Sequence, residues 1–195
     1  RTDGVSGISL VVAGVAVVLV LVLFAVVKIY NRLVALRQST REGWSGIDVQ
    51  LKRRANLIPN IVETVKGYAS HEKNLFEEVT RLRAETGMIA SDDAAGRQVV
   101  EGQLSNALMR IFAVAENYPE LRADKTFIEL QSTLAELENQ IQMARRYYNG
   151  TVRDLNISVE TFPNNIIANM FGFATEEYYE VEQAIDKAVP DVKFN

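Results

Sequence analysis

Between Asp3 and Lys28 the chain carries no charged residue, and the stretch from Ile8 to Val27, ISLVVAGVAVVLVLVLFAVV, is almost wholly apolar. That is roughly the 20 residues a helix needs to cross a ~30 Å hydrocarbon core. Valine is a mediocre helix former in water. In lipid the backbone must pair its own polar groups, and a lone segment can do so only as a helix. The run exceeds the ~7–15 apolar residues of a signal peptide, and a basic helical pattern follows it instead of a small-residue cleavage site. A single transmembrane helix is the expectation. Ser9, Ala13 and Gly14 within it are small enough to let a second helix approach.

The flanks orient the span. Lys28, Arg32, Arg37 and Arg41 follow it with no acid before Glu42, whereas Arg1 and Asp3 precede it and cancel. The excess of cations places the C-terminal part in the cytoplasm. These four form a juxtamembrane basic group suited to anionic lipid headgroups, at ~1 kcal/mol each.

The composition removes several classes of chemistry. There is no Cys and one His, His71, so thiolate nucleophiles and paired-imidazole zinc sites are excluded. The formal net charge is -4, which argues against nucleic acid as a partner. His71-Glu72-Lys73-Asn74-Leu75 has Leu where the zinc-protease helix needs its second His. Glu136 and Glu138 lack the Glu-x-x-His pairs of a di-iron bundle and are expected to face water. Asp92-Asp93 lacks the spaced ligands of a calcium loop and suits helix capping. The sequons at Asn149 and Asn156 fall inside a predicted cytoplasmic helix and read as chance matches. No catalytic residue, metal site or cofactor is assigned, and the chain reads as a non-enzyme.

From Leu33 onward the apolar residues keep helical spacing: Leu33, Leu36, Thr40, Trp44, Ile47, Leu51, Ile58. The membrane helix is therefore expected to run on into the soluble part without a linker. A second stripe (Ile61, Val65, Tyr68, Leu75, Val79, Leu82) follows Pro59, and a third runs from Val100 to Tyr118. Asp124 precedes the longest, which runs from Phe127 through Leu134, Ile141, Tyr148 and Leu155 to Phe162 at close to a seven-residue repeat. A short apolar piece, Ile166 to Phe173, and an amphipathic stretch around Glu176 to Ala188 complete the chain. Pro59 is costly inside a helix and cheap at its first position. A turn at Asn56–Ile58 would give four helices of matched length, and it is favoured over a kink.

The expected architecture is all-α: an N-terminal single transmembrane helix continuing into an antiparallel up-down four-helix bundle, with short C-terminal helices. Its parts are residues 1–27 (tail and span), 28–162 (bundle) and 163–195 (C-terminal helices). In that topology Ile166, Ile167, Met170 and Phe171 return to the headgroup level, where they form an interfacial anchor or cap the open base of the bundle. Lys52, Arg53 and Arg54 lie near the membrane-distal tip as a partner surface. Trp44 is expected to pack in the core. Asn139 and Asn149 sit beside the last stripe, where a buried Asn can fix register; Arg145 and Asp48 are the candidate partners.

The run from Trp44 through Ser45-Gly46-Ile47-Asp48-Val49-Gln50-Leu51-Lys52-Arg53-Arg54, Asn56-Leu57-Ile58-Pro59-Asn60 and Val62-Glu63-Thr64-Val65-Lys66-Gly67-Tyr68 resembles the bacterial LemA family. So do Tyr30-Asn31, Glu116-Asn117-Tyr118-Pro119-Glu120-Leu121, Glu138-Asn139, Ala144-Arg145-Arg146-Tyr147-Tyr148-Asn149, and Phe162-Pro163 with Asn165-Ile166-Ile167-Ala168. The resemblance covers essentially everything after Val27. It implies one membrane helix and a cytoplasmic antiparallel bundle at the bacterial inner membrane, with no enzymatic activity. It also implies kinship with a protein associated with shaping magnetosome membranes, and a link to membrane proteases and stress responses. The expected function is a membrane-anchored scaffold that contacts lipid and self-associates as a homo-oligomer. The alternative is an adaptor for a membrane protease or stress-response partner at the distal tip.

Overall fold

A computed structural model describes the backbone of residues 3–89 and 94–179, and side chains within 11–89 and 96–179. Helices make up most of the described residues, and no strand occurs among them. Its elements are α1 (Asp3–Lys66), α2 (Lys73–Met88), α3 (Ala94–Ala115), α4 (Pro119–Ala123), α5 (Lys125–Glu160) and α6 (Asn164–Phe171). Two compact units divide it. One holds residues up to Trp44 with Tyr147–Tyr178; the other holds Ser45–Arg146 with Tyr179.

α1 contains the apolar run, and every described residue from Val11 to Ala25 is exposed. It is the one described helix long and apolar enough to cross a membrane. It then continues without interruption past Pro59 to Lys66. The expected turn at Asn56–Ile58 is therefore corrected: the chain reverses at residues 67–72. The reason is local. Proline has no N–H, so the Ala55 carbonyl four residues back loses its helical donor. Arg83 on α2 supplies a replacement, its Nε donating to the Ala55 oxygen at 2.7 Å. The turn itself is closed by the Tyr68 and Ala69 amides, which donate to the Val65 carbonyl at 3.1 and 2.9 Å.

In the second unit one apolar core gathers residues from α1, α2, α3, α4 and the start of α5, among them Ile58, Ile61, Val65, Val79, Leu82, Leu104, Leu108, Ile111, Leu121 and Phe127. Cross-contacts tie neighbouring helices together. Ala55 meets Arg83 across the α1–α2 turn, Glu78 pairs with Arg110 between α2 and α3, and Phe112 lies 5.7 Å from Phe127 across α3 and α5. Segments of α1, α2, α3 and α5 thus share one core.

The seven-residue spacing read on α5 is real. Phe127, Leu134, Ile141, Tyr148 and Leu155 are all buried. α1 carries the same repeat: Leu33, Thr40, Ile47, Arg54 and Ile61 are all buried. α5 begins where Asp124 predicts. The Asp124 Oδ1 accepts from the Phe127 amide at 2.9 Å, satisfying one of the free N–H groups of a helix start. That hydrogen bond, with a second from Tyr68, holds the Asp124 carboxyl below its ordinary pKa. A depressed folded pKa stabilises above the ordinary carboxylate value and is lost as pH falls through the folded one. Asp124→Ala is therefore expected to lower Tm at neutral pH, and the gap to the parent chain should narrow in acid. A gap that stays constant down to pH ~2 would remove the charge from this account.

Capping by Ser91 or Asp92 lies outside the described residues, as does most of the stretch from Glu176 to Ala188. Its described beginning, Glu176–Tyr179, has no regular secondary structure.

Candidate functional site

Two clusters stand out, one in each unit. The first lies on α1 just beyond the apolar run. Leu33, Ile167, Ala168 and Phe173 form a small buried core, with Val26, Ile29, Val34 and Val159 against it. α6 is set there by its ends. Asn164 Nδ2 donates to the Ser158 hydroxyl at 3.2 Å. At the other end Gly172 takes φ 70, a left-handed position that costs any other residue ~1–2 kcal/mol. The Phe173 amide then closes onto the Ala168 carbonyl at 2.9 Å. This turn throws Phe173 back into the core, 5.8 Å from the Tyr30 ring and 4.7 Å beneath the Arg37 guanidinium. Gly172→Val is expected to cost ~1–2 kcal/mol in unfolding measurements while leaving α1 helical; an unchanged midpoint would mean the turn is not required.

Past Phe173 the chain is a non-helical strap held by α5. Asn156 grips its backbone from both sides: Nδ2 donates to the Glu176 carbonyl and Oδ1 accepts from the Glu176 amide, each at 2.9 Å. The Tyr148 hydroxyl donates to the Glu177 carbonyl at 3.1 Å. Burial, and then the charges of Glu176 and Glu177, push that hydroxyl above the ordinary tyrosine pKa, so it remains a donor. Asn156, read from sequence only as part of a sequon, is thus a structural clamp. Gly43 was also missed. A Cβ there would come within 3.1 Å of the Tyr148 Cα and 3.3 Å of the Thr151 hydroxyl, so the absent side chain lets α1 and α5 meet. Trp44 packs as expected, half-buried, 5.4 Å from the Tyr148 ring.

The second cluster is polar and buried. Arg54 is 0% exposed. One terminal nitrogen donates to Ser105 Oγ and to Glu138 Oε1, both at 2.7 Å. The other meets the Glu101 carboxylate. Burial opposes the guanidinium charge, but Glu138 and Glu101 together outweigh it and keep its pKa above the ordinary value. For Glu101 burial is the larger influence and raises its carboxyl pKa against the pull of Arg54. The stable form is a charged arginine held between two acids. Asp48, with Arg97 at 2.6 Å and Lys52 at 2.6 Å, forms a second ion-paired group. Arg145 covers the buried Tyr179 ring at 4.6 Å and donates to its hydroxyl at 3.3 Å. Among the described residues no group of His, Asp and Glu gathers as a metal site.

The sequence candidates are placed as follows. Lys28, Arg32 and Arg41 are exposed; Arg37 is half-buried on Phe173. In α6 the candidates divide: Ile167 is buried, while Ile166, Met170 and Phe171 are exposed. Lys52 and Arg53 are exposed, but Arg54 is not, which removes it from any partner surface. Nor do the three mark the tip, because α1 runs on to Lys66. Glu138, expected in water, binds Arg54. Asn139 is exposed and Asn149 half-buried; the proposed partners Asp48 and Arg145 are engaged in the contacts just described.

Comparison with known proteins finds relatives over most of the chain. The magnetosome protein MamQ 2 of Paramagnetospirillum magneticum is 27% identical, over 82% of this chain and 68% of its own length. The magnetosome protein MamQ of Magnetospirillum gryphiswaldense is 24% identical over the same shares. Protein LemA of Metamycoplasma hominis is 22% identical over 78% of this chain and 71% of its own length. None of these names denotes a reaction. The sequence profile of the LemA family matches residues 43–194, from the close-packed Gly43 through the buried Arg54 cluster to beyond the strap, and the chain belongs to the LemA family.

Proposed function

We propose that the chain is a non-enzymatic, single-pass scaffold of the bacterial inner membrane, with its helical part in the cytoplasm, that self-associates and braces or shapes the membrane. The observation that carries this reading is α1. Its apolar run is exposed on every side from Val11 to Ala25, an area no soluble protein leaves in water. The same helix then continues without an intervening loop to Lys66 and carries the ion-paired Asp48 and Arg54. The cations Lys28, Arg32 and Arg41 favour the cytoplasmic side. Exposed Gly14, with nothing within 4 Å of a built Cβ, leaves the span a place for close approach by a second copy. Relatives named for the magnetosome support a structural role.

Native mass of the full chain in lipid nanodiscs tests the reading. A discrete oligomer is the expected result. A monomer at all protein-to-lipid ratios overturns self-association and favours the adaptor reading, in which a protease or stress-response partner docks on the bundle. The feature favouring that second reading is a surface groove lined by Arg53, Asn56, Leu57, Thr133, Glu136, Leu137 and Gln140. Arg53→Glu should then abolish partner capture and leave the native mass unchanged.

A further inference from the structure

The end of the apolar run and the start of protein cover coincide. From Val11 to Ala25 every side chain of α1 is exposed; Val26 is the first that is not, and what covers it belongs to the α6 cluster. Val27 ends the run by sequence. At ~1.5 Å rise per residue, Tyr30 and Leu33 lie only ~5–9 Å further along the axis. The headgroup layer of one leaflet is itself roughly 5–8 Å deep. α6, whose Phe171 ring sits 4.8 Å from Tyr30 and whose Ile167 and Ala168 pack with Leu33, is therefore at headgroup depth if α1 spans.

The chemistry of the segment matches that depth. No charged residue occurs between Glu160 and Glu176, in a chain that is 24% charged overall. The polar residues there are neutral: Asn164, Asn165, Asn169, and Thr161 and Thr175 at the borders. Its inner side chains, Ile167 and Ala168, are used against α1. Its outer ones are large, apolar and uncovered: Phe162 is 75% exposed, Ile166 51% and Met170 67%. These three are four residues apart, and the latter two share one face of α6. An uncharged, apolar-faced helix fits the headgroup–acyl boundary. The cations that such helices usually carry on their own polar face come here from α1, as exposed Lys28 and Arg32.

We propose that α6 is an interfacial membrane helix, seating Phe162, Ile166 and Met170 in the leaflet from which α1 emerges. The protein then holds the bilayer at two points, a span through it and a shallow wedge in one leaflet. This deepens the scaffold reading and rests on α1 spanning the membrane, so the test must separate the two.

The chain has no cysteine, so single cysteines can be introduced into it and spin-labelled. Positions Val18, Phe162, Ile166, Met170 and Ile128 are each replaced by Cys in otherwise unchanged chains. The probe is the nitroxide's collision with oxygen, which partitions into lipid, against a nickel chelate, which stays in water. Nanodiscs of phosphatidylcholine with a quarter phosphatidylglycerol hold one chain each. The Val18 label should report the deep core. Labels at 162, 166 and 170 should show an oxygen-to-nickel ratio several-fold above that at Ile128, which is exposed on the bundle, but below that at Val18. If Val18 is in lipid while 166 and 170 match Ile128, α6 is not interfacial and the span stands. If Val18 itself is in water, the spanning reading fails and the proposal with it. Low collision with both probes at 166 and 170 means that protein covers them, which also overturns it. Because three sites are read separately, one misfolded variant does not decide the result.

Discussion

Arg54→Met is expected to destabilise the helical unit by ~3–5 kcal/mol, the cost of leaving a buried charge without its partner. Arg54 is fully buried and its Glu101 partner nearly so, with side-chain exposures of 0% and 3%. Removing the guanidinium leaves Glu101 ionised in the interior and Glu138 facing it without a cation between them. Equilibrium unfolding followed by helical circular dichroism reads the loss. The pH dependence identifies its cause. Burial already raises the Glu101 carboxyl pKa against the pull of Arg54, and losing Arg54 raises it further. A carboxyl whose folded pKa exceeds its unfolded one contributes stability below the unfolded value and loses it as pH rises through the folded value. The deficit of Arg54→Met should therefore shrink on acidification. Replacing Glu101 and Glu138 by Leu in the same chain should recover most of the loss, because an apolar cluster of similar volume has no desolvation cost. A deficit under ~1 kcal/mol, independent of pH, would mean that water reaches the acids and the cluster is not closed.

The same residue shows how much the sequence discloses. Stripe spacing marks the helices of α1, α3 and α5 because burial selects apolar side chains at a fixed angular period. Asp124 and Pro163 mark ends because their constraints are local. Arg54 escapes this logic. Three consecutive basic residues look like a solvated run, yet the third lies seven residues after Ile47 and seven before Ile61. A strict seven-residue count from Leu33 would have placed it in the core. What no count supplies is the pair of acids, Glu101 and Glu138, on two other helices. Pro59 fails for the same reason: its tolerance depends on Arg83, a residue 24 positions away in sequence. Asn156 and Gly43 are likewise defined by what lies across from them, a strap backbone and the α5 backbone, so their roles appear only when the chain is folded. The candidate membrane contact was more legible. A charge-free stretch after Phe162 is visible in one dimension, although its division into an inner Ile167 and outer Ile166 and Met170 is not.

Arg83→Met tests the account of the proline directly, and its expected cost is ~1 kcal/mol, that of losing the hydrogen bond to a half-buried carbonyl. The Ala55 oxygen has no helical donor because residue 59 is proline, and the Arg83 Nε at 2.7 Å replaces it. The prediction is a coupling rather than a single loss. In a Pro59→Ala chain the new amide lies in the helix and can reach Ala55, so the arginine becomes dispensable there. Arg83→Met should then cost less than half of what it costs beside proline, and the difference is the interaction energy of a double-mutant cycle. Equal costs in both backgrounds would assign Arg83 to packing by its aliphatic stem alone. The coupling bears on function because α1 is one helix from the apolar run to Lys66. A proline in its interior is a place where a helix kinks, and the cross-helix hydrogen bond from α2 supports the helical continuation there. Loss of that bond should raise amide hydrogen exchange around Ala55–Thr64 before the rest of the core opens. The apolar segment from Val11 to Ala25 should keep its protection.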